Sequence, residues 1–268
     1  MAGEQGAILF GFDFPIGVPS LYAERAGITD FVALLPELGQ GRWADFFRVA
    51  ETAEEISPHR PFYPQAPGNK KQEHLVAGLG VRSMDDLLRR CDQGHSGRGK
   101  ASPMFWTLGG KQVGKAAILG WQEVVVPALI SDRSRVKVWP FEGELQTLLE
   151  PGQSVIAETY PAEFYGHLGV RFYAGASGEK WGKRSQQGRQ RNGPALLHWA
   201  ETAEVGLDPV LSEAIQNGFG PSADGEDPFD AVVGLFGMLN IVLGYRESGE
   251  PDEEQIREVE GWMLGRCA

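Results

Sequence analysis

The stretch that most constrains this chain is residues 7–19, A-I-L-F-G-F-D-F-P-I-G-V-P. Ile8, Leu9, Phe10, Phe12 and Phe14 make a nearly continuous apolar run closed by Pro15, Gly17 and Pro19, the pattern of a strand buried on both faces. Asp13 sits inside it. A carboxylate stripped of water there needs hydrogen bonds, a cation or a metal, or it must keep its proton. What meets Asp13 is therefore the first functional question.

Composition narrows the classes. A chain of 268 residues with 42% hydrophobic and 23% charged residues is an ordinary globular sequence, long enough for a sizeable core. Its net charge of −11 repels nucleic acid unless a local basic patch intervenes. Cys91 and Cys267 are too few for a disulfide framework, and no charged and then apolar leader opens the sequence, so a cytoplasmic protein is expected. The apolar segment 232–243 is interrupted by glycine and falls short of the ~20 residues that span a bilayer, so no membrane partner is expected.

Apolar spacing predicts helices over 21–26, 30–38, 43–55 and 84–90, the last capped by Ser83, with a proline-rich loop over 59–68. Together these read as a helical insertion, residues 20–103, following the first strand. Residues 109–116 imitate a phosphate-binding loop, but Ala116 stands where a hydroxyl would hold Mg²⁺. The plainer reading is a glycine turn into a helix over 113–129, with Val113, Ala116, Ala117, Gly120, Val124 and Ala128 inward and Lys111 and Lys115 solvated. Strands are expected at 136–138 and 154–158. Pro161 suits the first turn of a helix, which puts Glu158 at the carboxyl end of a strand, where open α/β sheets gather ligands. Glu158 is there either as a functional carboxylate or as an acceptor for the adjacent helix start.

Two further segments carry chemistry. Residues 179–191 place five basic side chains against Glu179, a local charge of +4. They read as a loop, either merely solubilising or a phosphate clamp made by Lys183, Arg184, Arg189 and Arg191, with Trp181 stacked on a base. In D-P-F-D, Asp227 is a natural N-cap, Pro228 fits N1 and Asp230 falls at N3. Capping explains both aspartates, yet the spacing also lets them project toward a common cation. A surface helix is expected over 252–264, with Glu260 as a weaker candidate. Asp13, Glu158, Asp227 and Asp230 form an oxygen-only ligand set that favours Mg²⁺ or Mn²⁺. Two such ions would serve phosphodiester hydrolysis, with Asp13, Glu158 and Asp230 as catalytic residues. The histidines show no zinc spacing.

The segments G-F-D-F-P-I-G-V-P, G-K-Q-V-G-K-A-A-I-L-G-W, A-E-T-Y-P-A-E-F-Y, K-R-S-Q-Q-G-R, D-P-F-D-A-V-V-G and E-G-W-M occur in an order that resembles the family called domain of unknown function 429. That family is described as predicted nucleases with a ribonuclease H-like fold. The resemblance implies a mixed sheet flanked by helices and an acidic metal site, with Asp13, Glu158 and Asp227 or Asp230 at matching positions. Its members tend to carry an earlier strand with an aspartate, whereas only residues 1–6 precede this segment. Either Asp13 takes the place of that first acid or the sheet has an uncovered edge, which invites a homodimer.

The expectation is a single α/β domain over 1–268, ribonuclease H-like, acting as a Mg²⁺- or Mn²⁺-dependent nuclease or phosphodiester hydrolase on nucleic acid or nucleotide. The alternative is a non-catalytic nucleotide- or protein-binding module whose acids are structural, marked by carboxylates that diverge in space or by Asp13 paired with an arginine. An ATP-using phosphotransferase of the actin-like class would need a glycine-rich hairpin before Asp13, where the sequence has no room for one.

Overall fold

Three strands, β1 (Ile8–Phe12), β2 (Val136–Val138) and β3 (Ser154–Glu158), pair in parallel in the order β1-β3-β2. The computed structural model describes residues 6–109, 113–174 and 180–267. It is an α/β protein made of two compact units, the first Met1–Glu158 with Gly249–Ala268, the second Thr159–Ser248. Among the described residues the larger sheet is purely parallel, not mixed.

In the first unit β3 is the buried centre. Val155, Ile156 and Ala157 are all buried, as a strand covered on both faces requires. β1 departs from expectation, because it forms the sheet edge. Ile8 and Phe10 are 45% and 43% exposed, and Asp13, just beyond the strand, is exposed as well. An apolar run alone cannot distinguish a central strand from an edge strand whose partner-facing side is bare.

The insertion is present, though its elements are shorter than periodicity suggested. Helix Ser20–Ala26 ends at Gly27, and Asp30 caps Phe31–Leu34 by accepting from the Ala33 amide. The helix expected over 43–55 is replaced by turns. Thr52 and Glu55 form a capping box that starts a separate 3₁₀ turn, Ala53–Glu55, and so divides the segment. Ser83 and Asp86 do the same for Met84–Leu87.

The long helix Val113–Ser131 forms as expected, with a π turn at Trp121–Val125. Pro127 lacks an N–H, so the carbonyl four residues earlier loses its regular partner and the ladder widens there. The face that enters the core is Gly114, Ala117, Ile118, Gly120, Trp121, Val125 and Leu129; it shares Ala117 and Gly120 with the predicted face, whose Val113 and Ala128 lie partly buried at its border. Trp121 fixes that face, since its indole N–H donates to the Pro15 carbonyl at 2.7 Å. Among the described residues this is the one helix long and apolar enough to cross a membrane, but that inner face is committed to the core of its unit. Residues 110–112, including Lys111 of the imitation phosphate loop, lie outside the described residues.

In the second unit, Pro161–Phe164 starts on its proline as predicted. Glu226–Val242 packs on it, with Gly237 against the Phe164 ring, and on Gln186–Thr202, where Trp199 stacks on Phe236 at 4.7 Å. The basic stretch 179–191 is not a loop throughout. Ser185 caps a helix from Gln186 by accepting from the Gly188 amide, so Arg189 and Arg191 are helical. Gly188, Gly193 and Pro194 made this helix illegible. Both glycines are needed for packing, because a Cβ would come 2.3 Å from the Gly182 oxygen or 2.7 Å from that of Ile215. The side chain of Trp181 is outside the description, so its proposed stacking is too.

Candidate functional site

The burial anticipated for Asp13 is found at Glu158. This residue ends β3, 3% exposed, with its register partner Phe12 on β1. Its Oε1 accepts from Arg89 Nη2 at 2.7 Å, and Oε2 accepts from Arg89 Nη1 at 2.6 Å and from the Ile16 amide at 2.8 Å. Arg89 is itself fully buried. Its Nε and Nη2 also donate to Asp92 at 3.1 and 3.0 Å, and Nη1 reaches the carbonyls of Ile16 and Glu260 at 3.3 Å. Every N–H of the guanidinium is thereby used.

Glu260 extends the constellation. Its Oε1 accepts from the Ser20 amide at 3.0 Å and the Ser20 hydroxyl at 2.6 Å, while Oε2 accepts from the Arg90 amide at 2.6 Å. The expected surface helix at 252–264 is corrected here. It ends in a π turn, Ile256–Glu260, whose last residue is buried, and the Leu264 amide then donates to the Glu158 carbonyl at 2.9 Å. Four segments distant in sequence thus meet: the turn after β1, the insertion at 89–92, the end of β3 and the C-terminal segment.

Burial raises the Glu158 carboxyl above its ordinary pKa against the pull of Arg89. For Arg89, burial alone would lower the value, but Asp92 and Glu158 outweigh it and hold the guanidinium well above its usual range. Burial likewise raises the Cys91 thiol, leaving it an inert core group. Arg89 and Asp92 were missed from sequence. The one available signal was indirect: an acid ending an apolar strand needs a cation, and Arg89-x-x-Asp92 is spaced as an ion pair.

In the second unit Asp230 accepts from the Tyr165 hydroxyl at 3.0 Å through Oδ1 and from the Lys183 ammonium through Oδ2. Lys183 also pairs with Glu226 at 2.9 Å, and the exposed Arg184 lies 3.4 Å from the same carboxylate. Arg189 is buried and donates to the carbonyls of Gly218, Lys183, Gly220 and Ser222, so it ties a loop together and is not turned outward as a clamp. Arg191 is exposed. Asp227 is exposed and does not cap. Ser222 starts a 3₁₀ turn at Ala223–Gly225 that runs into the helix, moving its start to Glu226.

Burial raises the Asp230 carboxyl, with Lys183 and Tyr165 pulling the other way. The folded state therefore keeps a proton that the unfolded chain releases at the ordinary carboxylate pKa. Stability contributed by this group is present below that value and falls as pH rises through the raised one. Asp230→Asn is expected to flatten that fall, read from urea midpoints of both proteins across the acid range.

Asp13 and Glu158 belong to the first unit, Asp227 and Asp230 to the second. Among the described residues no group of three or more His, Cys, Asp or Glu side chains is placed to hold a metal ion. The acids are engaged elsewhere: each oxygen of Glu158 and of Asp230 receives a hydrogen bond, one carboxylate from a guanidinium and the other partly from an ammonium. No family model matches this chain, and no curated protein or solved structure matches it either.

Proposed function

We propose that this chain is a non-catalytic protein-binding module on an α/β scaffold, with a ribonuclease H-like arrangement as its finer fold. The observation that carries the reading is the commitment of both Glu158 oxygens to Arg89, the arginine pairing that marks a structural acid. A protein partner is favoured over a nucleotide because Lys183 is neutralised by two carboxylates and Arg189 is buried with its donors spent on four carbonyls.

The contact element is the outer edge of β1. Ile-Leu-Phe-Gly-Phe carries no charge, proline or bulge to blunt it, and Ile8 and Phe10 stand exposed. An antiparallel second copy centred on Phe10 would set Phe10 against Phe10 and Ile8 against Phe12, a self-complementary pairing. The expected result in sedimentation equilibrium is a concentration-dependent dimer, tighter at high salt because the two copies each carry −11. Phe10→Lys should weaken it at least about tenfold. A monomer at all concentrations would refute the pairing.

The metal-dependent hydrolase is kept as a second reading on one observation: Asp13 directly follows β1, whose last residue is in register with Glu158 at the end of β3. Saturable Mn²⁺ binding by calorimetry, lost in a folded Asp13→Asn protein, would restore it.

A further inference from the structure

A cleft of about 520 Å³ lies in the first unit, away from the Glu158 network. Its apolar lining is Val32, Ala33, Pro36, Leu129, Ile130 and Phe141, from the insertion, the end of the long helix and the turn after β2. Such a volume falls within the range of small-molecule sites. Its polar groups are unbalanced, since three carboxylates, Asp30, Glu142 and Glu258, accompany one guanidinium, Arg133. Arg133 is already taken by Glu142 at 2.7 Å and donates to the Val136 carbonyl at 3.1 Å. Asp30 spends Oδ1 on the Ala33 amide, and both Asp30 and Glu258 are exposed. The cleft therefore presents a mostly apolar lining with two carboxylates, Asp30 and Glu258, while Arg133 and Lys137 are both drawn to Glu142.

We propose that this cleft binds a small organic cation, an ammonium carried on a short aliphatic chain. The chain would lie against Pro36, Ile130 and Phe141, and the ammonium would sit between Asp30 and Glu258. A fatty carboxylate offers the same apolar body but meets the wrong charge, and a hydrophilic cation leaves the apolar lining wet. Charge complementarity thus selects the occupant, and this inference does not rest on the β1 edge.

The test uses the full chain with n-octylammonium as probe, followed by calorimetry and by the methyl NMR signals of Val32, Leu129 and Ile130. Octanoate and tetramethylammonium serve as the charge and chain controls. The expected result is saturable octylammonium binding that shifts those methyls, with each control at least about tenfold weaker. Asp30→Asn with Glu258→Gln should weaken octylammonium about fivefold, and asparagine preserves the cap of Phe31–Leu34, so the fold is kept. Equal binding of octanoate, an unaffected double variant, shifts confined to other methyls, or no octylammonium binding would each overturn the proposal.

Discussion

Arg89→Met is expected to lower the stability of the first unit by about 3–5 kcal/mol, the usual cost of removing one partner from a buried charge pair. The substitution keeps most of the side-chain volume, so little of the loss comes from packing. What it removes is the cation that meets Glu158 at 2.6 and 2.7 Å and Asp92 at 3.0 and 3.1 Å, leaving two carboxylates at 3% and 4% exposure without a counter-charge. Because an orphaned buried acid binds its proton more tightly, the variant should regain stability as pH falls through the acid range. Adding Glu158→Gln and Asp92→Asn should recover part of the loss at neutral pH. Urea unfolding followed by tryptophan fluorescence reads both effects. A loss below about 1 kcal/mol, with no acid rescue, would mean the network is not what joins these four segments.

The same network explains how much of the candidate site was legible. Strand positions, the helix opening at Pro161 and the placement of Glu158 at a strand end all followed from apolar periodicity and one proline, because those signals are local. Solvent exposure of Asp13 did not follow, since whether a greasy strand is central or at an edge depends on what pairs with it. Arg89 was invisible for a related reason. A buried arginine has no periodic signature and is defined by the acids it meets, 69 residues away in the case of Glu158. Arg189 shows the reverse error: its basic neighbourhood suggested a surface clamp, yet four carbonyls from two segments pull it inside. Asp227 failed as a cap because Ser222, five residues earlier in the chain, starts the turn that feeds the helix.

Gly17→Ala is expected to cost about as much as Arg89→Met, through the backbone instead of charge. Gly17 has φ of +124°, and a Cβ there would stand 2.0 Å from the Glu260 carbonyl oxygen. The opposing Gly261, at φ +66°, would place its own Cβ 2.2 Å from the Ile16 oxygen. The two segments therefore cross backbone on backbone, held by the Val18 amide donating to the Val259 carbonyl at 3.0 Å. Alanine must push them apart. That would lift Glu260 from Ser20 and Arg90, and the Ile16 amide from Glu158. Overpacking of about 1–3 kcal/mol and backbone strain of about 1–3 kcal/mol together give an expected loss of about 2–6 kcal/mol. Gly27→Ala separates the two contributions, because Gly27 also has positive φ, +69°, but nothing lies within 4 Å of its Cβ position. Its expected loss is about 1–2 kcal/mol, strain alone. Equal losses in the two variants, measured by urea unfolding at one pH, would show that the crossing tolerates a side chain and that the Glu260 contacts do not depend on its closeness.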